Sequence, residues 1–131
     1  MSAITLDNIS KNWGPMRAVD DVSLTAEQGS LLVLLGPSGC GKSTTLRLIA
    51  GLDRPDGGTI MIGGADVTDL TPAQRKISMV FQSYALFPHR TGAENVAFGL
   101  RMRDVARPEI ERRVKAALAQ VALTGLEERK P

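Results

Sequence analysis

Cysteine, histidine and aromatic residues are scarce in this sequence. Its 131 residues include one Cys, one His, one Trp, one Tyr and three Phe. The single cysteine excludes an internal disulfide and is typical of a protein from a reducing compartment. No aromatic residue lies among the arginines that cluster in the second half, which argues against single-stranded nucleic acid as a partner. These arginines are Arg101, Arg103, Arg107, Arg112 and Arg113.

Long apolar runs and a strong charge imbalance are also missing. No stretch approaches the ~20 apolar residues that cross a bilayer, and residues 1–7 lack the features of a secretion signal. We therefore expect a cytosolic protein without a transmembrane segment or signal peptide. The net charge of +2 is small, so we interpret the arginine cluster as a solvated helix face and expect no nucleic acid partner.

The most informative segment that is present has the sequence GPSGCGKST and matches the phosphate-binding pattern G-x-x-x-x-G-K-[ST]. Glycine allows backbone N–H groups to approach phosphate oxygens closely. Lys42 is expected to reach the β- and γ-phosphates, and the Ser43 hydroxyl to ligate Mg²⁺. We predict that this loop binds a nucleoside triphosphate through Gly36, Pro37, Ser38, Gly39, Cys40, Gly41, Lys42, Ser43 and Thr44.

The sequence on either side of this loop predicts a strand before it and a helix after it. Residues 30–35 form an apolar run typical of a strand buried on both faces of a parallel sheet. Residues 43–50 predict a helix, and Gly51 is expected at its C-terminal cap. The apolar face of this helix is predicted to comprise Leu46, Ile49 and Ala50. This order favours a true phosphate loop over a glycine-rich turn.

The rest of the sequence predicts short strands followed by helices. Three strands, at residues 4–9, 18–25 and 59–62, are expected to form a small antiparallel sheet beside a parallel core. Residues 77–81 predict a further apolar strand. The pattern becomes helical from Ala93, and the last helix is expected at residues 108–123. Its apolar stripe is predicted to comprise Ile110, Val114, Ala117, Leu118 and Val121.

These features together resemble the ATP-binding subunit of ABC transporters, from Ile4 to Pro131. The resemblance implies an α/β fold: a P-loop NTPase core with a small N-terminal antiparallel β-subdomain and the start of a helical subdomain, incomplete at the C-terminus. Residues 1–131 would then be a partial ATP-binding domain. Residues 1–90 would comprise the β-subdomain and the core up to the Q-loop, and residues 91–131 the start of the helical subdomain.

Two further site residues are implied by the resemblance. Trp13 corresponds to the aromatic residue that stacks on adenine, although the alternative is that it anchors the core. Gln82 corresponds to the glutamine of the Q-loop, which contributes to Mg²⁺ binding and orients the attacking water. The only histidine, His89, is not in the position of the switch histidine of the family.

The partners and location are likewise implied by the resemblance. Residues 84–89, with an exposed patch of Tyr84, Leu86 and Phe87, would face transmembrane permease subunits. A second ATP-binding subunit would complete a dimer, and a solute-binding protein would act indirectly. The protein would lie peripherally on the cytoplasmic side of the inner membrane. The segment around Gln82 is most similar to importers of sugars, polyamines, iron or sulfate-like ions, but Arg90 stands where apolar residues are usual.

The family's signature motif, catalytic glutamate and switch histidine do not occur in this sequence. We therefore expect negligible ATP hydrolysis by this chain alone. One hypothesis is a subunit that binds ATP and couples its energy to import. A second is a non-catalytic nucleotide-binding fragment without transport activity. A third, a small kinase with the same loop, is disfavoured because no lid or acceptor-site residues can be located.

Overall fold

The computed structural model describes residues 2–131, which form two compact units, one ending at Met79 and the other running from Val80 to Pro131. The first unit contains a four-stranded antiparallel sheet with the strand order β2-β1-β3-β4. The strands are β1 (Ser2–Trp13), β2 (Met16–Glu27), β3 (Gly57–Ile62) and β4 (Ala65–Asp66). The unit also contains helix α1 (Lys42–Ala50) and a short 3₁₀ helix (Pro72–Arg75). The three strands expected at the N-terminal side are thus present.

An irregularity in β1 determines which of its side chains reach the core. Leu6 and Ile9 are both buried although they are three residues apart, a spacing that places residues on opposite faces of a regular strand. The pairing of β1 with β2 shifts between these two residues, and Asn8 has a φ of 50°. This bulge returns Ile9 to the core face. The core of the unit comprises Leu6, Ile9, Val19, Leu48, Ile60 and Val67.

Helix α1 ends as the sequence predicts but buries a different face. Gly51 is at the C-cap with a φ of 76°, the left-handed conformation that glycine adopts without steric cost. The predicted apolar face was wrong at Leu46, which is exposed, whereas Leu48 is fully buried. Leu48 is on the side of the helix that packs on the sheet. Side chains two residues apart in a helix, such as those of Leu46 and Leu48, point in nearly opposite directions.

The two predicted parallel strands are not formed. Residues 30–36 and 77–81 have no regular structure, and Leu31 and Leu35 are 89% and 88% exposed. A strand buried on both faces of a parallel sheet needs neighbouring strands as hydrogen-bond partners. Residues 2–131 provide only the antiparallel sheet, whose strands pair with one another. The composition of these segments was therefore not sufficient to make them strands.

The second unit packs helix α2 (Gly92–Arg101) against helix α3 (Arg107–Gln120). Ala97, Val114 and Leu118 are buried between them. Thr91 and Glu94 form a capping box at the start of α2, which fixes its first turn. Helix α3 ends before Val121, so this predicted member of the apolar stripe is exposed. Within residues 2–131 no helix has both the length and the apolar character needed to span a bilayer.

Candidate nucleotide-binding site

The phosphate loop turns into α1 at Gly41, where only glycine fits. Gly41 is the N-cap residue and has a φ of 94°, which is in the left-handed region. A Cβ atom at this position would lie 2.3 Å from the carbonyl oxygen of Ala18. The loop therefore packs directly against the backbone of β2, and its conformation excludes any other residue.

The Lys42 side chain bends back over the loop from which it extends. Its Nζ atom donates hydrogen bonds to the carbonyl oxygens of Gly36, at 2.6 Å, and Pro37, at 2.7 Å. It also lies 3.3 Å from the Cys40 Sγ atom. These bonds hold the ammonium group against the loop, so its charge is directed at the segment predicted to enclose phosphates.

The start of α1 is suited to an anion. Its first turn contains no acidic residue, and no side chain caps it. The first N–H groups of a helix have no partner within the helix, and they carry the positive end of its dipole. Thr45 does not supply the missing cap, because its hydroxyl donates to the Gly41 carbonyl oxygen. A phosphate group would provide the acceptors that this first turn lacks.

Trp13 lies beside the phosphate loop. The end of the β1–β2 hairpin and the start of α1 enclose one concavity, to which Trp13 belongs. The other lining residues are Met16, Arg17, Ala18, Ser38, Gly39, Gly41, Lys42, Ser43 and Thr44. Trp13 is 46% exposed, which contradicts the alternative that it anchors the core. Gly36, Pro37 and Cys40, which were also predicted to bind nucleotide, do not line this concavity.

Sequence reasoning did not identify Met16 and Arg17 as neighbours of the loop. Both follow the tight turn at Gly14 and Pro15, and Met16 pairs with Trp13 across the hairpin. The signal that could have revealed them is this Gly-Pro turn, because two strands joined by two residues bring their ends together. Arg17 is held by an ion pair of 2.8 Å with Asp20.

Gln82 belongs to the second unit, whereas the phosphate loop belongs to the first. It is exposed in a turn that leads to residues 84–89. The predicted exposed patch in this segment is only partly correct. Tyr84 is 74% exposed and Leu86 is also exposed, but Phe87 is half-buried with its ring centroid 4.7 Å from that of Phe98.

Asn95 holds the end of this segment in place. Its side-chain oxygen accepts the Phe87 N–H at 2.8 Å. Its side-chain nitrogen lies 3.2 Å, 3.3 Å and 3.0 Å from the carbonyl oxygens of Phe87, Arg90 and Thr91. The Arg90 guanidinium lies 5.2 Å from the centroids of both the Phe87 and Phe98 rings. Arg90 therefore covers aromatic surface at the position where the resemblance implies an apolar residue.

Residues 19–131 match the family described as ABC transporter. The chain belongs to the ABC transporter family. The Fe(3+) ions import ATP-binding protein FbpC of Escherichia coli (strain K12) is 53% identical to it over 126 residues. The protein with the same description in Brucella abortus (strain 2308) is 51% identical over 129 residues. These matches cover 96% and 98% of this chain but 36% of each relative, so the chain spans about a third of their length.

A solved structure of an ABC-type protein supports the same fold. A dimeric ATP-binding cassette in a post-hydrolysis state, bound to ADP and Pi, matches with a TM-score of 0.86 and 31% identity. The match covers 98% of this chain and 61% of that chain. The predicted fold class is therefore confirmed, with an antiparallel N-terminal sheet and helices that form part of an ABC ATP-binding domain.

Arg75 is a buried cation that supports α1 in this ABC transporter family member. Its guanidinium donates to the carbonyl oxygens of Leu48, at 2.7 Å, and Ile49, at 2.9 Å, near the end of α1 opposite the phosphate loop. It also donates to the carbonyl oxygens of Leu70 and Thr68. Burial lowers the pKa of Arg75. A buried guanidinium is tolerated because carbonyl oxygens accept hydrogen bonds from its N–H groups.

Proposed function

We propose that this chain forms the ATP-binding part of an ABC import system. The observation that carries the proposal is the shared concavity of Trp13 and the phosphate loop, where an aromatic face lies beside an uncapped helix start. This combination suits a purine joined to a polyphosphate. The relatives named for import and for ATP binding support the same proposal.

In the proposed complex each part of the site has a separate task. The N–H groups of the first turn of α1 bind phosphate oxygens, and Lys42 exchanges its two carbonyl partners for the β- and γ-phosphates. Trp13 stacks on adenine. The Ser43 hydroxyl is exposed at the start of α1 and is suited to hold Mg²⁺, which neutralises phosphate charge when bound. By its correspondence to the Q-loop glutamine of the family, Gln82 is the residue that would contribute to Mg²⁺ binding and orient the attacking water.

The partners in this proposal follow from the exposed loop of the second unit. Tyr84 and Leu86 present apolar surface on a segment that Asn95 fastens to α2, and this segment would bind a permease subunit. A second ATP-binding subunit would close the nucleotide site, and a solute-binding protein would deliver cargo. Function would then take place at the cytoplasmic face of the inner membrane. Fe³⁺ is the first cargo to test, because the relatives are named for it.

Binding of ATP to purified protein tests the proposal. We expect the Lys42→Ala variant to lose ATP affinity, because it removes the cation that neutralises the terminal phosphates. The measurement is titration calorimetry with ATP and Mg²⁺. Lys115→Ala is the matched control, since it removes an exposed lysine from α3 and should leave affinity unchanged. Equal affinity of the two variants would contradict the assignment of the phosphate loop.

Two assays distinguish this function from its alternatives. A nucleotide-binding fragment without transport activity would bind ATP but would not support import in vesicles with permease subunits. A kinase would transfer phosphate to an acceptor other than water. Hydrolysis by this chain alone is expected to be negligible, because its sequence lacks the catalytic glutamate of the family.

A further inference from the structure

Trp13 has a cation over one of its faces. The Lys11 Nζ atom lies 4.8 Å from the centroid of the Trp13 ring. The pairing of β1 with β2 is irregular between Lys11 and Asn12, so the contact itself, and not strand alternation, shows that the two side chains meet. The Lys11 side chain is only 13% exposed. An ammonium at this distance from an indole face is attracted by the ring and restricts its orientation.

The ammonium is fixed by Asp56, which is itself tied to β1. Asp56 Oδ1 lies 3.3 Å from Lys11 Nζ, and Asp56 Oδ2 accepts the Asn12 N–H at 2.6 Å. The Asp56 N–H donates to the Ser10 carbonyl oxygen at 2.9 Å. Asp56 is thus linked to the strand through both its carboxylate and its backbone N–H, which gives Lys11 a defined position.

The placement of Lys11 distinguishes the two faces of the ring. Trp13 lines the concavity that contains the phosphate loop, whereas neither Lys11 nor Asp56 lines it. Lys11 therefore occupies one face of the indole without lining the concavity. The other ring face remains for a base.

We propose that Lys11, anchored by Asp56, is a positioning residue that presents one face of Trp13 to the nucleotide base. This inference rests on the proposed function, because it assumes that a base stacks on Trp13. Lys11 does not touch the nucleotide in this arrangement. It acts through the ring, so its effect is confined to ligands that carry a base.

The test compares Lys11→Met with the unchanged protein, using ATP and inorganic tripolyphosphate as the two probes. Methionine has a similar length but no charge. We expect ATP affinity to fall about two- to fivefold, as a partly exposed cation–π contact implies, and tripolyphosphate affinity to remain the same. Lys11→Arg should restore ATP affinity, because a guanidinium also stacks on indole and pairs with a carboxylate. Lys115→Met is the control for a lysine elsewhere.

Fluorescence supplies a second readout, because Trp13 is the only tryptophan. We expect Lys11→Met to shift the Trp13 emission of the free protein and to reduce its quenching by saturating ATP. Unchanged emission and unchanged ATP affinity in this variant would overturn the inference while leaving ATP binding intact. An equal loss of affinity for both probes would also overturn it, because it would indicate a general structural defect. If the unchanged protein binds neither probe, the proposed function itself fails.

Discussion

At the scale of single residues, Gly41 combines two constraints that no other residue type satisfies. Its φ of 94° is in a region that side chains disfavour, and its α-carbon faces the carbonyl oxygen of Ala18. The same position begins α1 and therefore aims the N–H groups predicted to bind phosphate. A change at Gly41 alters the backbone of the site without removing any functional side chain.

We predict that Gly41→Ala abolishes ATP binding and destabilises the first unit by more than ~1 kcal/mol. The added methyl group would lie 2.3 Å from a backbone oxygen, so the loop must move away from β2. Calorimetric titration and thermal unfolding measure the two effects. Gly99→Ala is the control, because a Cβ atom there meets nothing within 4 Å and alanine favours the helix α2. Wild-type affinity in Gly41→Ala would refute this account of the loop.

At the scale of elements, α3 depends on charges in its first turns. Glu109 accepts hydrogen bonds from Arg112 and Arg113, with the closest approaches at 2.8 Å and 2.5 Å. These two arginines lower the pKa of Glu109 from 4.5 to about 2. A carboxylate near a helix N-terminus is also favoured by the helix dipole. The three arginines of the cluster that belong to α3, Arg107, Arg112 and Arg113, are thus paired with glutamates of their own helix.

This pKa shift predicts a pH dependence of the second unit. Because the pKa is lowered in the folded protein, the stabilisation is complete above pH 4.5 and is lost as the pH falls towards 2. We expect the melting temperature of the second unit in the unchanged protein to fall over this pH range. Glu109→Gln should remove this part of the pH dependence. Circular dichroism during heating measures both. Glu128→Gln is the control, since Glu128 has no ion pair within the described chain. An identical pH profile for Glu109→Gln would contradict the assignment.

At the scale of the whole molecule, residues 2–131 contain two hydrophobic clusters, one in each compact unit. Leu48 belongs to the cluster of the first unit, and Leu118 to the cluster of the second. Trp13 and the residues of the phosphate loop all belong to the first unit. Nucleotide affinity should therefore depend on the first cluster far more than on the second.

We predict that Leu118→Ala destabilises the second unit by about 2–5 kcal/mol and leaves ATP affinity nearly unchanged. Leu48→Ala, the matched change in the first unit, should weaken ATP binding because Leu48 fixes α1 on the sheet. Amide hydrogen exchange followed by mass spectrometry locates each effect along the chain, and calorimetry measures affinity. Loss of protection throughout the chain in Leu118→Ala would show that the two units unfold together.

The sequence by itself determined the phosphate loop, the C-cap of α1 at Gly51, the capped start of α2 and the β1–β2 hairpin, because these depend on residues close together in the chain. Glycine at the turns, the Thr91–Glu94 capping box and alternating apolar residues act over a few positions of the chain. Even the family could be inferred from such segments. The adenine-facing role predicted for Trp13 was implied by the family resemblance, although its contact with Lys11 was not predicted.

Only the tertiary structure decided which apolar segments are buried. Leu48 replaced Leu46 on the core face of α1, and Leu31 and Leu35 remained exposed because no strand pairs with their segment within the described chain. Long-range contacts also placed Asp56 beside Lys11 and the Arg75 guanidinium against the end of α1. Burial, strand pairing and ion pairing depend on residues far apart in sequence. Their outcome is determined by which surfaces meet in space, and local composition does not specify this.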